Sequence, residues 1–167
     1  PDDPACSHLD RQYMFGDRLL VAPVFSASGD TSYYIPAGTW THLQTGATVR
    51  GPVWVCEVCD FLTVPVFVRP GTVLPIGAQD DRPDYPYDAD VTLRVYEFAD
   101  GDQTTITVPG PTGAVAATFE VVRDRSTLTA TRLQGTAPWR LLVMGQPEIK
   151  VPADTDQCSI ELGAIEA

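Results

Sequence analysis

The sequence predicts an all-β protein of two small β-sandwich modules, with a short helical segment ahead of them. Three observations carry this. From Arg18 onward the apolar residues come in short runs of strand length, punctuated by Gly and Pro. The stretch VTLRVYEF (Val91 to Phe98) alternates, with Val91, Leu93, Val95 and Glu97 on one face and Thr92, Arg94, Tyr96 and Phe98 on the other. After residue 16 no segment carries the 3.6-residue period of an amphipathic helix.

The helical segment is expected at the start. Asp3 suits an N-cap, Pro4 the first helical position and Gly16 the stop. Between them Ala5, Leu9 and Tyr13 repeat every four residues and form one apolar stripe. The strands follow in order. Leu19 to Phe25 is a short apolar run whose Pro23 marks a strand end or an edge. After the turn SASGD come TSYYIP, TWTHL and ATVR, separated by AG and QTG turns, then WVCEV and the long stretch from Val64 to Ile76.

Between Gly77 and Asp90 five aspartates, two prolines and almost no aliphatic residues mark a connection. Clustered aspartates suggest calcium, but the spacing and closing Glu of an EF-hand loop are missing, and a solvated linker is the expectation. A second strand series follows: VTLRVYEF, an Asp100-Gly101 hairpin turn into QTTITV, then AVAATFEVV and STLTATRL, then RLLVM, PEIKV and CSIEL. The linker between the two modules is expected at 79–90.

At 167 residues, with 44% hydrophobic and 20% charged side chains, the composition is that of an ordinary globular protein. Eleven basic against 22 acidic residues leave a net charge of −11. That repels a phosphate backbone and an anionic lipid surface, so neither nucleic acid nor membrane is expected as a partner. No apolar run of about 18 residues occurs, and PDDPACSHLD lacks the basic, then apolar, pattern of a signal peptide. A start at Pro1-Asp2-Asp3-Pro4 without Met reads as the interior of a longer chain.

Chemistry-bearing motifs are scarce. No phosphate loop, dinucleotide fingerprint, nucleophile elbow or HExxH helix is present. Cys56 and Cys59 form a CxxC, but Cys6 and Cys158 supply no second ligand pair, and residues three apart on a strand face opposite ways. Free thiols in a reducing, cytoplasmic setting are expected. Ser7 and His8 are neighbours and make a poor catalytic pair; His8 is expected on the surface and His42 on a strand near Trp40. Tyr33, Tyr34, Trp40 and Trp54, with Tyr85 and Tyr87 in the linker, are either a sugar platform or core filling, and core filling is favoured. No catalytic, cofactor-binding or metal-binding residue is assigned.

One set of segments is specific. Tyr13-Met14-Phe15-Gly16-Asp17-Arg18-Leu19-Leu20-Val21-Ala22-Pro23-Val24 closely resembles the point in glycoside hydrolase family 31 where the catalytic barrel hands over to the C-terminal β-domains. YYIPAGTWTHLQTG (Tyr33 to Gly46) and DFLTVPVFVRPGTVLPIG (Asp60 to Gly77) are similar to the family's next stretches. PDDPACSHLDRQYM at the start and DDRPDY (Asp80 to Tyr85) resemble its bacterial α-xylosidase branch. The likeness runs from residue 1 to about 90; beyond that it rests on position and β-texture.

The resemblance implies that 1–17 end a (β/α)8 barrel and that 18–78 and 91–167 are the proximal and distal sandwiches. It also implies retaining hydrolysis by two aspartates about 5–5.5 Å apart on barrel strands upstream of this region. No residue here inherits a catalytic role. The expected function is the non-catalytic C-terminal portion of a retaining α-xylosidase or α-glucosidase, partnered by its own barrel and by further copies in a homo-oligomer. A carbohydrate-binding module and a plain interaction domain are the alternatives, and carbohydrate stands as a possible partner.

Overall fold

The computed structural model describes residues 5–6 and 9–162. These fold into thirteen strands and two compact units, residues 1–72 and 73–167. The first unit is built on a five-stranded sheet in the order β1-β2-β5-β3-β4, comprising β1 (Tyr13–Phe15), β2 (Leu19–Val21), β3 (Asp30–His42), β4 (Thr48–Val58) and β5 (Val66–Val68). The second holds two four-stranded sheets. One orders β13-β10-β9-β8, from β8 (Gln103–Pro109), β9 (Val115–Asp124), β10 (Thr127–Gln134) and β13 (Gln157–Glu161). The other orders β12-β11-β7-β6, from β6 (Thr72–Ile76), β7 (Val91–Tyr96), β11 (Trp139–Val143) and β12 (Ile149–Val151).

The expected helix over 3–16 is not formed where it can be seen. Asp3, Pro4, Ser7 and His8 lie outside the described residues, and Ala5 and Cys6 sit in a 3₁₀ turn. Tyr13 to Phe15 instead pair antiparallel with Val21 to Leu19 as a hairpin, which makes them part of the sheet. Gly16, at φ 63, forms the hairpin turn instead of a helix stop. The four-residue stripe loses because residues 13–15 find backbone partners in β2, whereas a short isolated helix is marginal in water.

The β3–β4 pair also departs from expectation. TSYYIP and TWTHL are one strand, as are ATVR and WVCEV, because the predicted AG turn is a bulge. Ile35 faces Val53 while Gly38 faces Gly51, so β3 carries one extra residue there. That residue switches the inward positions of β3 from Tyr33 and Ile35 to Trp40, and all three enter one core with Leu20, Ala22 and Phe67. Gly51 is required at the crossing: a Cβ there would stand 1.9 Å from the Pro36 carbonyl oxygen.

In the second unit the alternation predicted for β7 is realised by Val91, Leu93 and Val95, but the strand ends at Tyr96. Glu97 turns away at φ 44, and Phe98 rather than Glu97 is buried. Strand β11 runs parallel to β7, with Trp139 opposite Val91. Trp139 meets Phe119 of the facing sheet at 5.2 Å between ring centres, closing the sandwich core. Strand β6 joins this unit, so the compact division falls after Thr72 rather than in the acidic stretch. That stretch folds on itself: Tyr87 donates to the Pro83 carbonyl at 2.7 Å, and the Tyr85 hydroxyl occupies the space where a Cβ on Gly77 would lie.

Candidate functional site

The first unit leaves an unusual surface. Among the described residues, ten of the twelve exposed large apolar side chains belong to it, from Tyr13 to Val64. Strand β1 presents Tyr13, Met14 and Phe15 at the sheet margin. The loop after β4 holds Phe61 and Leu62, which are 102% and 86% exposed. That loop is not loose: the Asp60 carboxylate accepts from the Leu62 amide at 3.0 Å and from the Thr63 hydroxyl at 2.5 Å, which lowers its pKa. Two bulky apolar side chains held outward by their own loop are a surface seeking a partner.

A groove of about 770 Å³ adjoins these residues, with Phe25 and Val58 among its walls and Arg11, Asp30 and Glu57 supplying charge. Glu57 is anchored rather than free. The Tyr33 hydroxyl donates to its Oε1 at 2.6 Å, and the Cys59 thiol also bonds to it. Burial, reinforced by the Glu57 charge, pushes both the Tyr33 phenol and the Cys59 thiol upward, so both stay protonated. A thiol held that way is a poor nucleophile.

The cysteines do not act as a pair. Cys56 is exposed on β4 with its Sγ 3.4 Å from the Ser32 hydroxyl, whereas Cys59 is buried beyond the strand end. Among the described residues no group of three His, Cys, Asp or Glu side chains gathers as a metal site would require. His42 ends β3, accepts from the Gln44 and Thr45 amides at 3.3 Å, and meets Phe67 edge-on. Burial lowers its pKa.

The aromatics divide as core filling demands. Tyr33, Tyr34 and Trp40 are buried, and of that group Trp54 remains exposed, against Tyr34 at 5.5 Å. Two residues, one inside each unit, tie distant segments together without any motif in the sequence. Gln12 donates to the Tyr34 carbonyl at 2.8 Å and accepts from the Tyr34 amide at 2.7 Å, completing β3 where no strand pairs with that margin. Arg132, buried on β10, donates to Asp156 Oδ1 and to the carbonyls of Ala137 and Ala153. Neither pairing has a local signal, since partners lie 22 and up to 24 residues away.

Among the described residues no helix is long and apolar enough to cross a membrane. Residues 1–74 match the family model described as the glycosyl hydrolase family 31 C-terminal domain, and 86–162 match that of the C-terminal domain of the alpha-xylosidase YicI. An alpha-xylosidase XylQ of Lactiplantibacillus pentosus is 37% identical over 94 residues, which are 54% of this chain and 12% of that protein. An alpha-xylosidase of Emericella nidulans is 38% identical over 92 residues, covering 50% of this chain and 12% of that protein. Among solved structures, a family 31 alpha-xylosidase from Xanthomonas citri shares the fold at a TM-score of 0.76 and 23% identity, over 98% of this chain and 21% of its own. A cycloalternan-forming enzyme from Listeria monocytogenes matches 86% of this chain and 14% of its own, at 26% identity and a TM-score of 0.71. The chain therefore spans 12% of the length of the two curated relatives, and both of its halves match C-terminal domains. On those two matches together, this chain belongs to the C-terminal domains of glycoside hydrolase family 31.

Proposed function

We propose that the chain serves as the non-catalytic C-terminal part of a retaining α-glycosidase of α-xylosidase type. Its first unit docks on the catalytic barrel, and the chain ahead of β1 is the arrival from that barrel. The observation that carries this is the apolar surface of the first unit, with Phe61 and Leu62 held outward by Asp60. A face of that kind costs free energy in water, at about 25 cal/mol per Å² of apolar area, and is stabilised when covered. The second unit carries most of the acidic charge, which suits a solvent-facing position.

In this reading the α-xylosidic bond is cleaved by carboxylates of the barrel, and the chain contributes rigidity and a wall near the approach to the active site. The parent is a homo-oligomer, with further copies as partners, and works in the cytoplasm. Four cysteines with no disulfide among the described residues support a reducing setting. The expected result with the purified chain is no release of nitrophenol from aryl α-xyloside or aryl α-glucoside above a protein-free control. Turnover that survives further purification would place an active carboxylate pair within these residues and overturn the reading.

A further inference from the structure

The second unit holds a cavity that none of the roles above uses. It lies at one end of the sandwich, has a volume of about 430 Å³, and is lined by Val95, Phe98 and Met144 together with Glu97, Arg123 and Gln146. Val95 and Phe98 are core residues, so the floor is apolar and fixed. The polar groups are set by the turns around them. Arg123 Nε donates to the Arg125 carbonyl at 2.9 Å and Nη1 to the Phe98 carbonyl, which leaves Nη2 uncommitted. The Glu97 and Gln146 side chains have no partner among the described residues.

Glu97 also stands in a costly conformation. Its φ of 44 puts a side-chain-bearing residue in the left-handed region that glycine occupies freely. The next turn over-determines it: Asp102 accepts from the Ala99 amide at 2.7 Å, and Asp100 accepts from the Arg125 amide at 2.6 Å. A glycine would make this turn without strain, yet a glutamate stands there with its carboxylate on a cavity. Strain retained at a concave site is a pointer to binding.

We infer that this cavity is a binding site for a neutral sugar, with Glu97, Arg123 and Gln146 as its polar contacts. The chemistry selects that class. Glu97 and Arg123 offset each other, and 15 acidic against seven basic residues in this unit disfavour an anionic ligand. A pyranose presents hydroxyls that donate to a carboxylate and accept from a guanidinium, and an amide does both. Its C–H face suits Phe98, Val95 and Met144. The choice of sugar as probe rests on the glycosidase reading above; the cavity and its strained acid do not.

The test is a calorimetric or NMR titration of the 167-residue chain with methyl α-xyloside and methyl α-glucoside, in parallel with thermal melts. The expected result is saturable binding of at least one, weakened tenfold or more by Glu97→Gly, while that variant melts about 4 °C higher because the strain is gone. Gln146→Ala, on a half-buried turn residue, weakens binding without raising the melting temperature. No saturable binding to wild type, or binding unchanged in Glu97→Gly, overturns the site. Because nitrophenol release from the chain is a separate readout, loss of this site leaves the docking reading standing, and the reverse also holds.

Discussion

The two units spend their apolar residues differently. In the second, fifteen buried residues form one core between two sheets, and among the described residues only Val115 and Leu133 are large, apolar and exposed. In the first, six buried residues form the core of a single sheet, and ten large apolar side chains face outward. Charge follows the same division: residues 1–72 carry seven acidic and four basic side chains, residues 73–167 carry 15 and seven. A β-module that closes its own core can afford a solvated, acidic surface. One that does not leaves apolar side chains in water, and their burial against another body is favourable.

The largest effect that would sharpen this contrast is in the self-sufficient unit. Arg132 is buried on β10 and ties the loop 152–156 and Ala137 to the sheet through charge-assisted bonds. Removing it leaves two carbonyls and a carboxylate without their donor. Arg132→Ala should cost about 3 kcal/mol in chemical denaturation, even after discounting the exposed Asp156. A loss under about 1 kcal/mol would mean that water satisfies those groups, and that the unit's closure rests on apolar packing alone.

A smaller effect belongs to the first unit. Gln12→Ala should destabilise it by about 2 kcal/mol, because both the amide and the carbonyl of the buried Tyr34 lose their partner. Hydrogen exchange of the Tyr34 amide reads this directly. Faster exchange there with β7 unchanged would confirm that the two units open separately.

How much of this was legible in the residues depends on range. The all-β class, the Asp100-Gly101 and QTG turns, and the inward set of β7 up to Val95 follow from local pattern, and the structure agrees. The family segment at Tyr13 to Val24 is legible as a sequence, yet its first three residues read locally as a helix end. Their pairing with β2 is a tertiary decision that overrides a weak periodicity. The bulge at Ile35–Gly38 was hidden because AG reads as a turn in isolation; only the close approach of Gly51 to Pro36 turns it into a bend within one strand. Glu97 was misplaced for a similar reason: alternation continues in the letters after the backbone has turned. That a chain resembling a C-terminal portion exposes the surface that meets its barrel follows from the resemblance, but the residues of that surface are not legible locally, since Phe61 and Leu62 look like core residues until Asp60 is seen folding their loop outward.

The measurement that tests the contrast most directly is sedimentation velocity of the chain beside a Phe61→Ser, Leu62→Ser double variant. Both side chains are exposed, so the change should leave stability within about 0.5 kcal/mol. The account predicts that the wild-type chain self-associates, more strongly as salt screens its net charge of −11, and that the variant sediments as a monomer. A wild-type chain that remains monomeric at high salt, with the variant indistinguishable from it, would contradict the claim that the first unit carries a docking surface.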